Sequence, residues 1–354
     1  MFCKETTTWD LGAVLLASIL VMAIGTGIGR ADFTFGTPTK MGASINSSGA
    51  EYVPCVSADG LEIYFQREEP DGEIYVARRS TPDSEWGEPV NLGPTINSSD
   101  YDGGASISAD GLSLYFARAT TGLFVAHRAT VKDAWGTPVN LGPTVNTGGA
   151  FATSISADEL ELYFQSDRPG GQGGLDVWVT TRATTKDEWG PPVNLGPGIN
   201  TSAWDNWPGI SPDGLVLFFT SNRPGGAGGW DLYMTRRATK KDPWGPPVNL
   251  GPTVNGTASE VHAKVSYDGS MLYFCPFGLG ESDDLWQAPI TPVVDFNADG
   301  KVDLVDLVML INDWGTSRAL CDIGPMPWGD GKVDIEDLKV FMTYYEKTNP
   351  PVKP

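Results

Sequence analysis

Apolar and polar residues alternate along most of the chain in short runs that flank Asp-Gly pairs. Five such units each start at a serine, and they read SADGLEIYF from Ser57, SADGLSLYF from Ser108, SADELELYF from Ser156, SPDGLVLFF from Ser211 and SYDGSMLYF from Ser266. Four of them carry Asp-Gly, and the third carries Asp158-Glu159 at that place. Asp-Gly tolerates the positive φ of a tight turn, and runs rich in Ile, Val, Leu, Tyr and Phe suit half-buried strands. Each unit therefore predicts a β-hairpin made of an innermost strand and a second strand.

Two more strands complete each unit. A third apolar run follows every hairpin, from GEIYVARR in the first unit to DDLWQAPI in the last. The fourth run reads WGxPVNLG and begins at Trp86, Trp135, Trp189 and Trp244, with a degraded copy, FGTPTKMG, at Phe35. The spacings between these copies are 51, 49, 54 and 55 residues. Four short antiparallel strands repeated at this period predict the blades of a propeller.

The hairpins and the fourth strands are out of phase at the two ends of this array. The array opens with a lone fourth strand, residues 35–42, and it closes with a hairpin and third strand, residues 266–290, that have no fourth strand after them. Pairing the first strand with the last blade would close a ring and leave no open edge. We therefore predict an all-β, five-bladed β-propeller over residues 32–291 that is closed by its N-terminal strand.

Glycine-rich loops follow two of the hairpins and carry a family resemblance. With SDRPGGQGGLDVW from Ser166 and SNRPGGAGGWDLY from Ser221, the repeats resemble those of TolB-like, WD40-like β-propellers across about residues 35–290. The loop is weaker after Arg67 and is lost after Ala117. The resemblance implies the propeller fold and no particular function, because that fold supports binding, signalling and enzymatic proteins alike.

The N-terminus carries an apolar segment. Residues 11–25 are uninterrupted apolar or small residues behind Lys4, a length that is short for a membrane span and typical of a signal-peptide core. Small residues at Gly29 and Ala31 predict cleavage before Asp32, so residues 1–31 are predicted to be a signal peptide; the alternative is an uncleaved anchor. We expect a protein secreted to the extracellular space or cell surface, with the periplasm as an alternative.

The C-terminal part begins with a pattern typical of calcium loops, DFNADGKVDLVD. Oxygen-bearing side chains stand at loop positions 1, 3, 5, 9 and 12, which are Asp295, Asn297, Asp299, Asp303 and Asp306. Gly300 at position 6 permits the sharp turn, and Lys301 at position 7 would offer its carbonyl oxygen. Calcium takes six to eight oxygen ligands, so the spacing predicts a Ca²⁺ site followed by a helix. An Asp-rich turn without metal is the alternative.

A second, imperfect loop follows. Positions 5, 6, 7, 9 and 12 are occupied by Asp330, Gly331, Lys332, Asp334 and Asp337. The first half of this loop is four residues too long, and we predict that Asp322 is its displaced first ligand.

Two such loops, each followed by a helix, resemble a type I dockerin over residues 292–349, within a predicted module of residues 292–354. The resemblance implies a calcium-folded module that attaches its host to a cohesin-type protein domain. In that family, loop positions 10 and 11 help to select the cohesin and often carry small hydroxyl residues. Here they are Leu304, Val305, Ile335 and Glu336, which leaves the class of cohesin open.

Charge and cysteine content narrow the partners. The formal net charge is −20, which disfavours nucleic acid and anionic membrane surfaces as partners. Signal cleavage would leave Cys55, Cys275 and Cys321, an odd and sparse set that predicts no disulfide framework.

A candidate ligand site emerges when the innermost strands are aligned on their serines. Six residues before each serine stand Glu51, Asp102, Ala150, Asp205 and Glu260. Four acids in five copies predict a ring near the mouth of the central channel, next to aromatic residues that include Tyr101, Trp204 and Trp207. Carboxylates beside flat aromatic faces suit a sugar, so these four acids and three aromatics are the predicted ligand-binding residues. The alternative is that the acids cap loops and the aromatics seal contacts between blades.

No motif predicts a catalytic residue. The chain has no GxSxG sequence, and its only two histidines are His127 and His262, of which His262 is a candidate for lining the channel. The leading hypothesis is a secreted, calcium-binding propeller that acts as a binding or interaction module, with extracellular glycan as the candidate ligand, and that is tethered to a partner through its C-terminal module. The alternative is a carbohydrate-active enzyme, a glycoside hydrolase or lyase, that uses a pair of the acids.

Overall fold

A computed structural model describes residues 33–68, 72–278, 283–317 and 319–350. The predicted signal peptide, residues 1–31, lies outside the described residues. Across the described ranges, no helix has both the length and the apolar character that crossing a bilayer requires.

The strands form five sheets in chain order, one for each predicted blade. Two short strands, β1 (Phe33–Phe35) and β2 (Thr39–Lys40), come first. Blade 1 contains β3 (Glu51–Val56), β4 (Glu62–Arg67), β5 (Glu73–Arg78) and β6 (Val90–Asn91). Blade 2 contains β7 (Asp102–Ile107), β8 (Ser113–Arg118), β9 (Gly122–His127) and β10 (Val139–Asn140), followed by the single-turn helix α1 (Pro143–Asn146). Blade 3 contains β11 (Phe151–Ile155), β12 (Glu161–Ser166), β13 (Asp176–Thr181) and β14 (Val193–Asn194). Blade 4 contains β15 (Asp205–Ile210), β16 (Val216–Ser221), β17 (Asp231–Arg236) and β18 (Val248–Asn249). Blade 5 contains β19 (Ser259–Val265), β20 (Met271–Phe277) and β21 (Trp286–Pro292).

The N-terminal strands complete blade 5, as the phase of the repeats predicts. Phe35 pairs with Ile290 and Thr39 pairs with Gln287, both antiparallel, so β1 and β2 lie along the outer side of β21. The inner strands β19 and β3 contact each other, which brings the last blade against the first. The propeller therefore has five blades and closes as a ring.

Every innermost strand carries a bulge at the same place. Four residues before each serine the backbone adopts a positive φ, at Val53, Gly104, Ala152, Trp207 and His262. At that point two residues of the inner strand lie opposite one residue of its partner. A positive φ costs a non-glycine residue roughly 1–3 kcal/mol, so packing around the channel must hold these residues in place. Because of the bulge, consecutive residues such as Tyr52 and Val53 both face the channel.

Arginines and the repeated tryptophans join neighbouring blades. In four blades the arginine after the third strand stacks on the tryptophan of the fourth, at 4.1–4.5 Å from guanidinium carbon to ring centre, in the pairs Arg79–Trp86, Arg128–Trp135, Arg182–Trp189 and Arg237–Trp244. Arg128 also donates to Glu62 of blade 1, and Arg237 donates to Glu161 of blade 3. Three of these tryptophans also contact a tyrosine of the preceding blade, with 6.2–6.3 Å between ring centres, in the pairs Tyr64–Trp135, Tyr115–Trp189 and Tyr163–Trp244. The repeated tryptophan is therefore part of the blade-to-blade packing.

The boundary between blades 4 and 5 breaks this pattern. The backbone hydrogen bonds show that Ile290 is equivalent to the stacking arginine of the other blades, and that Phe35 is equivalent to their tryptophan. Val216 occupies the strand position at which blades 1 and 3 have a glutamate. Ile290, Phe35 and Val216 belong to one apolar cluster. At these equivalent positions, apolar side chains therefore replace the ion pair and the Arg–Trp contact of the other blades, while Arg236 of blade 4 lies 4.8 Å from the ring centre of Phe33.

The C-terminal part is a small helical module. It contains α2 (Leu304–Asn312), a 3₁₀ turn (Ala319–Cys321) and α3 (Ile335–Thr348). Its core includes Phe296, Leu310, Val333 and Phe341. Asp303 and Asp334 begin the two main helices with reciprocal capping boxes, as the loop spacing requires.

This module docks on the apolar boundary of blades 4 and 5. Trp328 is fully buried in the cluster that contains Val216 and Ile290, and its ring lies 5.7 Å from that of Phe33. The indole Nε1 of Trp328 donates a 2.7 Å hydrogen bond to Oδ2 of Asp213, in the Asp-Gly turn of blade 4. The sequence change at this boundary and the docking of the module thus occur at one place.

Candidate functional site

Three of the four predicted ring acids are buried and bonded within their own blades. Glu51, Asp102 and Asp205 are fully buried, and each accepts from an arginine of the same blade. The pairs are Arg67–Glu51 at 2.8 Å, Arg118–Asp102 at 2.8 Å and Arg223–Asp205 at 2.6 Å. The hydroxyls and backbone amides of Ser47, Ser98 and Thr201 also bond to these carboxylates. These contacts give the three acids an architectural role, and ligand binding by them stays a prediction.

Glu260 differs from the other three acids. It occupies the same position in blade 5, where the paired strand offers Pro276 in place of an arginine. Its Oε2 atom is buried without a hydrogen-bond partner. Burial raises the pKa of this carboxyl to about 7, against the opposing effect of the Gly256 amide. Ligand binding by Glu260 also stays a prediction.

The channel mouth holds a pocket of about 400 Å³ at the end where the inner strands begin. Its walls are mostly aromatic and are formed by Tyr52, Tyr101, Phe151, Trp207, Trp230 and Phe277. The ring of Trp207 lies 5.7 Å from that of Trp230 and 4.4 Å from that of His262. This volume and composition fall within the range of small-molecule sites in proteins.

Polar groups are interspersed among these rings. Gln66 donates to the hydroxyl of Tyr101, and its own Oε1 is buried without a partner. Gln165 accepts from the bulged amide of Trp207 at 3.1 Å. Glu68 lines the rim and accepts from the Tyr52 hydroxyl at 3.3 Å, while Asp283 accepts from the same hydroxyl at 2.8 Å.

His262 forms part of the pocket wall, as the sequence suggests for a channel residue. Its ring lies between those of Tyr52 and Trp207, and its Nδ1 atom is buried without a hydrogen-bond partner. Burial, reinforced by the nearby charge of Lys264, lowers the pKa of His262 to about 3. The imidazole is therefore neutral at physiological pH and carries one donor and one acceptor nitrogen.

Lys264 lies across the channel below the pocket. Its Nζ donates to the carbonyl oxygens of Thr153 at 2.9 Å and Pro208 at 2.7 Å, in blades 3 and 4. Burial lowers the pKa of Lys264 to about 8. On the far side is a cavity of only about 60 Å³, lined in part by Cys55, Ser106 and Lys264 itself. The pocket is therefore closed at its inner end.

The structure brings the predicted aromatic residues together only in part. Tyr101 and Trp207 line the pocket. Trp204 lies outside its walls and is 48% exposed, with its ring 5.8 Å from that of Trp230. Trp204 therefore has a pocket residue as its neighbour and does not itself face the pocket.

Four further residues line the pocket although the repeat pattern did not predict them, namely Gln66, Gln165, Trp230 and Phe277. Gln66 and Gln165 share one position near the end of the second strand, so aligning that strand would have shown the pair. The same alignment places an arginine 16 residues after Glu51 and after Asp102, which would have shown the ion pairs.

The first predicted calcium loop has an ordered backbone built around its acids. Asp295 accepts from the amides of Asp299 and Gly300, at 3.2 and 2.8 Å. Asp306 accepts from the amides of Phe296 and Asp303, at 2.8 and 2.9 Å. These bonds curl the loop so that both of its ends are held by carboxylates.

The second loop repeats these contacts. Asp322 accepts from the amides of Asp330 and Gly331, at 2.8 and 2.7 Å, as Asp295 does from Asp299 and Gly300. Asp337 accepts from Ile323 and Asp334, at 2.6 and 2.6 Å, as Asp306 does in the first loop. Asp322 thus stands at the structural position of Asp295, and the four inserted residues, 325–328, leave the loop and include the docking residue Trp328.

The donor chemistry of both loops suits a hard cation. Among the described residues no three His, Cys, Asp or Glu side chains converge as a ready-made metal cluster. The residues that would hold Ca²⁺ in the first loop are Asp295, Asn297, Asp299, Asp303 and Asp306, with the carbonyl of Lys301. In the second loop they are Asp322, Asp330, Asp334 and Asp337, with the carbonyl of Lys332. Bound calcium would add stability to the module, and its binding stays a prediction.

Comparisons with known proteins identify the fold. No family model matches the chain, and no curated relative matches its sequence. An α-L-arabinofuranosidase structure from Lactobacillus brevis is 15% identical, with a TM-score of 0.51 over 72% of this chain and 94% of that one. A putative TolB from Agrobacterium tumefaciens is 15% identical, with a TM-score of 0.44 over 70% and 80% of the two chains. The arabinofuranosidase PaAbf62A from Podospora anserina, in complex with cellotriose, is 12% identical, with a TM-score of 0.49 over 74% and 97%. At these identities the likeness concerns the fold alone, and the last two matches carry no further argument.

Proposed function

We propose that the propeller is a saccharide-binding module whose binding site is the aromatic pocket at the channel mouth. The observation that carries this proposal is the grouping of Tyr52, Tyr101 and Trp207 around buried amide and imidazole atoms that lack partners. Flat aromatic faces bind the apolar face of a sugar ring, and amide, imidazole and carboxylate groups bond its hydroxyls.

The pocket favours binding over hydrolysis. Hydrolysis of a glycosidic bond needs two carboxyl groups on either side of the bond, roughly 5–9.5 Å apart. Within the described part of the chain, Glu68 is the one acid in the pocket wall, and three of the predicted ring acids are bonded to arginines. The glycoside hydrolase or lyase alternative stays open to an activity assay with reducing-sugar detection.

The C-terminal module supplies the second half of the proposal. It would bind calcium through its two loops and attach the secreted protein to a cohesin-type partner on an extracellular assembly. The support is the contact-by-contact repetition of the first loop by the second and the exposed apolar residues Leu304, Val305 and Val308 on α2.

Titration calorimetry after a glycan-array screen tests the binding site. Trp207→Ala should weaken binding of the saccharide found by roughly tenfold or more, because a stacking face is lost. Trp204→Ala is the matched control, and it should have a smaller effect because its ring lies outside the pocket. If Trp207→Ala unfolds, Tyr101→Leu replaces it. Equal losses from both tryptophan variants, or none from Trp207→Ala, would contradict the proposed site.

A further inference from the structure

The charged side chains in and next to the pocket wall are negative. Among the described residues, the side chains in the wall include one carboxylate, Glu68, and neither lysine nor arginine. Asp283 lies behind the Tyr52 hydroxyl and adds a second negative charge nearby. The whole chain carries a net charge of −20, so the surrounding potential has the same sign. A carboxylate or sulfate entering this pocket would meet no cationic side chain in the described wall. The nearby Lys264 ammonium lies below the wall and is already bonded to two backbone carbonyls, so the rim carboxylates should disfavour an anion.

The buried polar atoms of the pocket suit hydroxyl groups. Gln66 Oε1 and His262 Nδ1 are both buried and without partners, and their side chains are 2% and 6% exposed. Buried polar atoms of this kind are normally hydrogen-bonded, so a ligand that reaches them should do so with its own polar hydrogens or with a bridging water. A sugar hydroxyl can both donate a hydrogen bond and accept one. An ionised carboxylate or sulfate can only accept, so it cannot bond to the Gln66 oxygen.

The depth of the pocket limits how a chain can enter. Lys264 bonds to Thr153 and Pro208 below it, and the cavity beyond holds only about 60 Å³. A polysaccharide cannot thread through the ring at this level, so a unit that reaches His262 must enter from the open side.

From these three features we infer that the pocket takes a terminal, uncharged sugar unit of a glycan and discriminates against uronic acids. This inference rests on the proposed saccharide-binding function and narrows it to a ligand class and to a chain end.

Calorimetry on the full chain, with xylo-oligosaccharides and oligogalacturonates from dimer to hexamer as probes, tests the inference. We expect the neutral series to bind with one protein per oligosaccharide at every length, and the uronate series to bind at least roughly tenfold more weakly. Glu68→Gln should narrow the ratio between the two series, because it removes the negative charge from the rim.

The outcomes separate the two proposals. If the wild type binds uronates as tightly as neutral sugars and Trp207→Ala abolishes that binding, saccharide binding stands and the present inference is overturned. More than one protein on each hexamer also overturns it, because the protein would then bind internal units. If the wild type binds neither series and no saccharide of the glycan array, or if Trp207→Ala has no effect on binding, both proposals are overturned.

Discussion

One residue position plays two roles in this ring. Glu51, Asp102 and Asp205 are each neutralised by an arginine of the same blade, whereas Glu260 has Pro276 on its paired strand and an unpartnered buried oxygen. A buried carboxylate without a counter-charge is costly, which explains why burial raises the pKa of Glu260 to about 7. Equivalent positions of a repeat can thus differ in chemistry while sharing a backbone.

His262 should make the stability of the ring sensitive to acid. Its folded pKa of about 3 lies below the ordinary value of 6.5, so between these values the unfolded chain binds a proton that the folded chain does not. The contribution of His262 to the free energy of unfolding should therefore fall as the pH drops below 6.5, by up to about 1.4 kcal/mol per pH unit. Glu260, with its pKa raised to about 7, contributes in the opposite direction over this range, so the effect of His262 is the difference between the wild type and a variant. Urea unfolding of the wild type and His262→Asn between pH 7 and pH 5 measures the difference; asparagine tolerates the positive φ at this position.

His127→Asn is the control for this prediction. His127 is the other histidine of the chain, is exposed at the end of β9 and bonds to the hydroxyl of Ser113. Its loss should leave the pH slope unchanged. A wild-type slope that survives His262→Asn would show that other groups cause it.

At the scale of the element, the repeats make the blades predictable and leave the bulges hidden. The repeated hairpin and fourth-strand patterns identify every blade and the closing strand, even where blade 3 has Asp-Glu in place of Asp-Gly and the closing strand has Phe35 in place of tryptophan, because these patterns are local. Val53, Trp207 and His262 adopt a positive φ that none of these residue types favours, so no local sequence pattern predicts it. The bulges result from packing around a five-bladed channel, and they change which inner-strand residues face that channel. The channel mouth could therefore be predicted from the sequence, but part of the pocket wall could not.

Ring closure by β1 and β2 should be essential for solubility. Deleting residues 1–42 removes both strands and leaves the outer edge of β21 unpaired, which should lead to aggregation. Size-exclusion chromatography and light scattering measure this outcome. A chain lacking residues 1–32 keeps every described strand and should stay monodisperse. A monodisperse, folded 1–42 deletion would show that the closing strands are dispensable.

The two loops of the C-terminal module should bind calcium unequally. Asp295→Ala should weaken calcium binding more than Asp322→Ala, because the first loop has an oxygen-bearing side chain at its third position, Asn297. In the second loop this position is occupied by Gly324, whose amide donates to the aspartate at position 12 as that of Asn297 does in the first loop. Calorimetry on the full chain measures both, with Asp242→Ala in the propeller as the control. Absence of any calcium heat from the wild type would refute the metal assignment.

At the scale of the whole molecule, one side chain links the two parts of the chain. Trp328 fills the apolar boundary of blades 4 and 5 and bonds to Asp213. Trp328→Ala should destabilise this contact by roughly 3–5 kcal/mol, as large core truncations do. We expect faster proteolysis between β21 and α2, measured by timed digestion and mass spectrometry.

Trp314→Ala is the matched control for that experiment, because Trp314 lies in the same module and is 45% exposed. Its loss should change the digestion little. Equal acceleration in both variants would mean that Trp328 stabilises the module internally and does not hold it on the propeller.

The docking also fixes a direction. Asp213 and Gly269, which contact the module, belong to the Asp-Gly turns at one end of the inner strands, whereas Tyr52, Phe151 and Trp207 open the pocket at the other end. The C-terminal module therefore contacts the ring at the end opposite the pocket. If the protein is tethered through this module, the mouth of the pocket would face away from the tether and toward the ends of glycan chains in the surroundings.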